Sequence, residues 1–308
     1  MTLERGALLF LLALSACSSG TLTPQQVAPD VCAFIGSREE IKPSNLGKVA
    51  NTGFIVGESG VIVIDSGANH QHGQEILDAI ARTTSKPVVL LINTHPHPEN
   101  VLGNSAFAQQ GIPILAHSET IAAMRARCET CFAHTLSLLN EDIMRGTEIV
   151  IPGRAIEESR EVDVGGRKLK LLYFGWAHTE GDLAVLDVKS GALFSGGLVA
   201  LERVPVMQQA RTREWIRALE QLAQQPIKLV VPGVGPISQP SRVDETLRYL
   251  ESLLQTIEAQ YDEGRSAIDV LHTSELPLFK DWALYDSQHP LNIQHVYREL
   301  EREELESQ

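Results

Sequence analysis

Apolar runs alternate with polar breaks along most of the chain, and their spacing sets out the elements. Two short apolar runs, residues 49–56 and 60–65, flank Gly57-Glu58-Ser59-Gly60 and predict a β-hairpin. Residues 72–83 place Ile76, Ile80 and Ala81 at helical spacing. Val88-Val-Leu-Leu-Ile92 is a buried strand within 87–93, and a polar, histidine-rich loop follows over 94–103. A short helix over 104–110 and a strand over 112–116 come next. They lead into a long helix over 118–139, opened by Ser118 as its cap with Glu119 behind it. Strands are expected at 167–174, 182–188 and 192–195, a helix at 212–223, and a strand at 227–231 that ends on Pro232-Gly233. Beyond Ser241 the chain turns helical. Val243, Leu247, Leu250, Leu254 and Ile257 recur with a 3.6-type period, and residues 293–305 read as a charged final helix. Strands interleaved with helices place the fold in the α/β (α+β) class.

The first 45 residues follow another plan. Arg5 precedes Ala7-Leu-Leu-Phe-Leu-Leu-Ala-Leu14, an apolar run too short to span a bilayer, and then Ser15-Ala16-Cys17. That is the layout of a secretory signal peptide. Leu14-Ser15-Ala16-Cys17 resembles a bacterial lipoprotein lipobox, which implies removal of residues 1–16 and a lipid on Cys17. Such a chain is anchored in the cell envelope and faces the periplasm, and Ser18 is compatible with the outer rather than the inner membrane. The other reading is an ordinary secreted protein cut nearby, with Cys17 incidental. Residues 17–45, rich in Ser, Thr, Gln and Pro, read as a tether. The expected organisation is therefore a signal peptide (1–16), a tether (17–45), a main domain (46–240) and a helical C-terminal extension (241–308).

Composition removes several function classes. At 43% hydrophobic, 308 residues are enough to bury a substantial core, which argues against intrinsic disorder. Lys and Arg number 26 against 39 Asp and Glu, a net charge of −13 with no basic run, so nucleic acid is not an expected partner. No apolar stretch of 18 residues interrupts the body of the chain, which excludes a polytopic membrane protein. Cys128-Glu-Thr-Cys131 is a C-x-x-C. In an oxidising envelope it reads as a local disulfide between Cys128 and Cys131, which leaves Cys32 without a partner. Nothing nearby resembles a thioredoxin-type unit, and a zinc knuckle would need a second pair.

The chemistry concentrates after the buried strand, in Thr94-His95-Pro-His97-Pro-Glu99-Asn100-Val-Leu-Gly-Asn104. Two histidines at i and i+2 on an extended loop can turn their rings toward one metal, and neutral imidazole is a good zinc donor. His178, in His178-Thr-Glu-Gly-Asp182, opens another loop after an apolar strand and is the candidate third donor.

The order of these parts, from Asp65-Ser-Gly67 through the two histidine loops to Leu193-Phe-Ser-Gly-Gly197 and Val231-Pro-Gly-Val-Gly-Pro236, resembles the metallo-β-lactamase superfamily over roughly residues 45–240. Within it, residues 87–106, 116–148 (with Met144-Arg-Gly-Thr147) and 193–201 look most similar to the quinoprotein relay system zinc metallohydrolases. Those are envelope proteins associated with PQQ-dependent dehydrogenases. The resemblance implies a four-layer αββα sandwich with metals at one edge of two sheets, and a small-molecule substrate. It assigns His95, His97 and His178 to a first metal, and gives Asp65 the part of a carboxylate that braces the metal loop.

The departures matter as much. Glu99 stands where the superfamily's loop has Asp, Asn100 where it has His, Gly197 where a metal-bridging Asp is expected, and Val234 where the last His is expected. Glycine and valine offer no donor, and a zinc ion needs N, S or O ligands at about 2.0–2.3 Å. One zinc is therefore expected and a second is not. Three histidines with an open position can still bring a bound water to a pKa of about 7. Glu99 is then either a general base for that water or a solvated loop carboxylate. Two functions follow: a mono-zinc hydrolase acting on an ester- or amide-type substrate, or a catalytically degenerate, lipid-anchored accessory protein that keeps the fold.

Overall fold

A computed structural model describes residues 22–307. The signal peptide and Cys17 lie outside the described residues. Seven strands form the first sheet in chain order: β1 (Gln25–Ala28), β2 (Val31–Phe34), β3 (Thr52–Val56), β4 (Val61–Ile64), β5 (Val88–Ile92), β6 (Ile114–His117) and β7 (Arg154–Ile156). Pairing is antiparallel from β1 to β4 and parallel from β4 to β7. The parallel half needs crossovers, supplied by α1 (His70–Thr83), by the short α2 (Pro98–Val101) and α3 (Asn104–Gln109), and by α4 (Ser118–Leu139). The second sheet holds β8 (Arg160–Val164), β9 (Arg167–Leu172), β10 (Ala184–Asp187), β11 (Ala192–Phe194) and β12 (Leu229–Val231), in the order β12-β11-β10-β9-β8. Helix α5 (Thr212–Ala223) crosses from β11 to its parallel neighbour β12, and α6 (Val243–Asp262), α7 (Ala267–Thr273) and α8 (Tyr285–Ser307) close the chain.

The period-2 geometry of strands sorts the apolar residues into layers. On β4, Ile62 and Ile64 enter the core between the sheets, while Val61 and Val63 pack outward with α1 residues Ile76 and Ile80. On β10, Val185 faces the first sheet, whereas Ala184 and Leu186 pack with Trp215 of α5 and Leu250 of α6. Both faces of these strands are covered, which is why they read as continuous apolar runs rather than alternating ones. The result is helices, sheet, sheet, helices, as the sequence implied.

Four expectations are corrected here. The described part of the 17–45 tether is not a linker: β1 and β2 extend the first sheet, and every residue of β2 is buried. Its polar composition comes from edge strand β1 and from the loop after β2. The C-terminal helices are less an extension than part of a core, since Tyr249, Leu253, Ile293 and Val296 share one cluster with Leu193 and Trp215. Cys128 and Cys131 are free thiols on successive turns of α4. Side chains three apart on a helix hold their Cβ atoms about 5–6 Å apart, beyond the roughly 3.5–4.5 Å that a disulfide takes. The cap of α4 also moves by one residue: His117 Nδ1, not Ser118, accepts the Glu119 amide at 3.2 Å.

His72 on α1 is buried, and burial pushes its pKa down to about 3. The unfolded chain takes up this proton near pH 6.5, whereas the folded chain resists it. Stability contributed by His72 is therefore complete above pH 6.5 and drains as pH falls toward 3, at about 1.4 kcal/mol per pH unit. Chemical denaturation across this window is expected to show that slope, reduced in His72→Gln.

Candidate metal centre

The chemistry-bearing loops all leave the same end of the two sheets. Asp65 follows β4, His95 and His97 follow β5, His178 follows β9, Gly196 and Gly197 follow β11, and Gly233 and Val234 follow β12. Strands of both sheets thus deliver their loops to one edge, and the three histidines meet there. Their ring centroids lie 4.7–5.0 Å apart, and their candidate donor nitrogens all fall within 4.8 Å of one another. Among the described residues this is the one group of three or more His, Cys, Asp or Glu so arranged. The other histidines near it in sequence, His70, His72 and His117, spend ring nitrogens on hydrogen bonds to Ser105, the Ala68 amide and Glu157.

Each of the three rings has one nitrogen engaged behind it. His95 Nδ1 is 2.8 Å from the Thr94 hydroxyl, which in turn donates to Asp65 Oδ2 at 2.8 Å. His97 Nε2 meets Gln209 Oε1 at 3.0 Å, and His178 Nδ1 meets Asp182 Oδ1 at 3.2 Å. Each partner is an acceptor for the ring N–H, so the tautomers follow. His95 Nε2, His97 Nδ1 and His178 Nε2 are left with free lone pairs. Burial, then the neighbouring rings, push His95 well below its usual pKa, and burial with His178 lowers His97. Neutral imidazoles of fixed tautomer are the form that ligates zinc. A tetrahedral ion at 2.0–2.1 Å asks for nitrogens about 3.3 Å apart, so loading draws the rings inward. The donor set fits one zinc.

Asp65 supports this loop without reaching the metal position. Its carboxylate accepts the Thr94 amide (2.8 Å), the Thr94 hydroxyl and Asn100 Nδ2 (2.9 Å). Burial pushes its pKa up to about 7 against those three donors. Its φ of 60° is a left-handed turn that Asp tolerates better than most residues and that the same bonds hold. Asn100 is thus a buttress for Asp65 rather than a metal ligand.

Asp182 does for His178 what Asp65 and Thr94 do for His95, accepting also the Thr179 amide and hydroxyl at 2.5 and 3.0 Å. Asp182→Asn keeps the shape but removes the charge that orients the imidazole. Zinc affinity, read by chelator competition, is expected to fall about 10–100-fold.

Glu99 lines the cleft with the three histidines, Asn100, Gly197, Arg203 and Val234. Its charge is felt at His97, Asp65 and Arg203. The free space at the bottom is about 50 Å³, room for an ion and a few waters. Gln209 and Arg203 went unnoticed in the sequence, since both sit in the unpatterned loop before α5. Trp176 Nε1 donates to the Gln209 carbonyl at 2.6 Å and so steadies the residue that holds His97.

Nothing can be added at position 197. A Cβ there would lie 2.1 Å from His178 Nδ1 and 2.4 Å from Cε1. With Val234 apolar, the second-metal positions hold only Glu99 as a donor.

Comparison with known proteins agrees with the geometry. Residues 46–234 match the family model described as the metallo-beta-lactamase superfamily. The chain is 24% identical over 217 residues to a metallo-beta-lactamase type 2 of Bacillus sp. (strain 170), covering 69% of this chain and 74% of the relative. The type 2 enzyme of Bacillus cereus is 25% identical over 217 residues, covering 69% and 75%. Among solved structures, a metallo-beta-lactamase from Pontibacter korlensis superposes with a TM-score of 0.62 at 21% identity, covering 75% of this chain and 99% of that one.

Proposed function

Because the chain belongs to the metallo-β-lactamase superfamily, we propose that it is a hydrolase with a single zinc ion held by His95, His97 and His178. The observation that carries this reading is the convergence of three neutral imidazoles, each with one nitrogen tied back and one left free. Zinc, when bound in such a set, lowers the pKa of a water to about 7 and polarises an acyl oxygen. Glu99, at the wall of the same cleft, takes a proton from the attacking water at a carboxylate oxygen and returns it to the leaving group. Asp65, Thr94, Gln209 and Asp182 keep the rings in register. The substrate class is an ester, lactone or amide of a small molecule.

The reading extends to place and partners. Leu14-Ser15-Ala16-Cys17 supports a lipid anchor in a bacterial envelope, facing the periplasm and more in keeping with the outer membrane. The resemblance of residues 87–106 and 193–201 to quinoprotein relay proteins supports a link to PQQ-dependent dehydrogenases. Cys17→Ala is expected to move the protein from the membrane fraction to the soluble one. Unchanged membrane attachment would refute the anchor.

A degenerate accessory protein is the second reading, favoured by the missing donors at Gly197 and Val234. Elemental analysis and a panel of esters, lactones and amides separate the two. About one zinc per chain, and turnover that His97→Ala lowers by about 1,000-fold or more, supports the hydrolase. Equal rates in wild type and His97→Ala would leave only the accessory role.

A further inference from the structure

Three buried side-chain polar atoms among the described residues have no hydrogen-bond partner, and two of them belong to residues of the metal cleft: Asn100 Oδ1 and Arg203 Nε. Native proteins leave few such atoms unmatched, and an unmatched pair in one cleft marks a place kept for a ligand. Arg203 is the sharper case. The residue is part-buried, its Nε is shut off from solvent, no carboxylate of the described residues comes within ion-pair distance of it, and desolvation lowers its pKa. Its neighbour Glu202 turns through a positive φ of 57° and spends its carboxylate on Arg38 and Arg242, away from the cleft. Arg203 itself is held by the C-terminal segment. The Ala283 amide donates to the Glu202 carbonyl and the Val204 amide donates to the Ala283 carbonyl, each at 3.0 Å. A buried N–H left without an acceptor costs about 1–3 kcal/mol, which an anion seated in the cleft would offset.

The surroundings say which anion. Arg203 shares its cleft with Glu99, Asn100, Gly197 and Val234, the positions at which a second metal would be bound in a two-ion site. We propose that Arg203 is the built-in cation of this cleft, standing in for the second metal ion and binding the carboxyl group that hydrolysis creates. The catalytic meaning of this rests on the hydrolase reading above. Addition of the water oxygen to an acyl carbon moves the C=O electron pair onto oxygen. Collapse restores the double bond and expels the leaving group, which takes the proton held by Glu99. The remaining product is a carboxylate, its acid proton lost to solvent. Both the transient oxyanion and the product carry a negative charge that a fixed guanidinium, unlike a free ion, meets without needing ligands of its own. The Asn100 carbonyl oxygen, its amide nitrogen given to Asp65, is left free to accept the N–H or O–H of the departing amine or alcohol.

Binding tests this without turnover. The full chain, loaded with one zinc, is titrated with acetate by calorimetry in wild type, Arg203→Met and Arg203→Lys. Acetate affinity is expected to fall about 10–100-fold in Arg203→Met and to stay within a few-fold in Arg203→Lys, with zinc content unchanged. If Arg203→Met does not fold, Arg203→Gln takes its place in the comparison. Equal acetate affinity in wild type and the neutral variant, or no binding by wild type up to about 100 mM, overturns the proposal. Arg203-dependent acetate binding in a protein that turns nothing over would support the anion site and remove only the hydrolase reading.

Discussion

Replacing His178 by alanine is expected to empty the metal site and to abolish the dependence of stability on zinc. Three imidazoles are the whole protein donor set, and two alone leave a zinc ion with too few ligands to hold it against solvent and buffer. Zinc per chain should drop from about one to near zero after gel filtration. An ion that binds only the folded chain adds about 4 kcal/mol at a thousand times its dissociation constant, so added zinc should raise the melting temperature of wild type by several degrees and leave His178→Ala unmoved. His178 is the best choice among the three because its ring is fixed on every side. Asp182 holds Nδ1, the Trp215 ring lies 5.1 Å away centroid to centroid, and Gly197 closes against the imidazole. Removing it costs packing as well as a ligand, so His178→Gln, which retains bulk, separates the two effects. Full zinc retention by both variants would mean that another group completes the site.

The three histidines were legible in the sequence because each follows a recognisable strand, β5 an unbroken apolar run and β9 an alternating one. β5 reads Val-Val-Leu-Leu-Ile, and the loop after it carries both His95 and His97. Gln209 was not legible. It lies in a loop with neither period nor motif, and its contact with His97 spans 112 residues of chain. Arg203 was hidden for the same reason, since the segment its backbone bridges to, at Ala283, lies in a part of the chain read as a peripheral extension. Strand β8 was missed because Arg160, Glu161 and Asp163 break the apolar run, although Val162 and Val164 keep the alternation that packs against the inter-sheet core. Helix α8 begins at Tyr285, eight residues before the predicted start, and carries Pro290 inside its first turns, a residue that ordinarily argues against a helix. Where a site depends on local strand and loop chemistry the sequence exposes it. Where it depends on a distant segment folding over, it does not.

Gly197 turns that comparison into the sharpest test of a one-ion centre. If the chain had merely lost a ligand, Gly197→Asp would return the carboxylate that its superfamily places there and recruit a second zinc. The structure predicts the opposite. The new Cβ would begin 2.1 Å from His178 Nδ1, far inside contact distance, and His178 cannot retreat past the Trp215 ring and its bond to Asp182. Overpacking of this kind typically costs about 1–3 kcal/mol. Displacing the imidazole also breaks its link to Asp182, for which a 10–100-fold loss of metal affinity is typical. Gly197→Asp should therefore bind less than one zinc per chain and melt several degrees below wild type. Gly197→Ala, which adds the same Cβ without the charge, should lose about as much. A second ion also has only Glu99 to meet it, since Val234 stays apolar and Arg203 places a like charge in the same cleft. Two zinc ions per chain in Gly197→Asp would show that the loop moves aside easily and that the single-ion architecture is an accident of one residue rather than a property of the whole cleft.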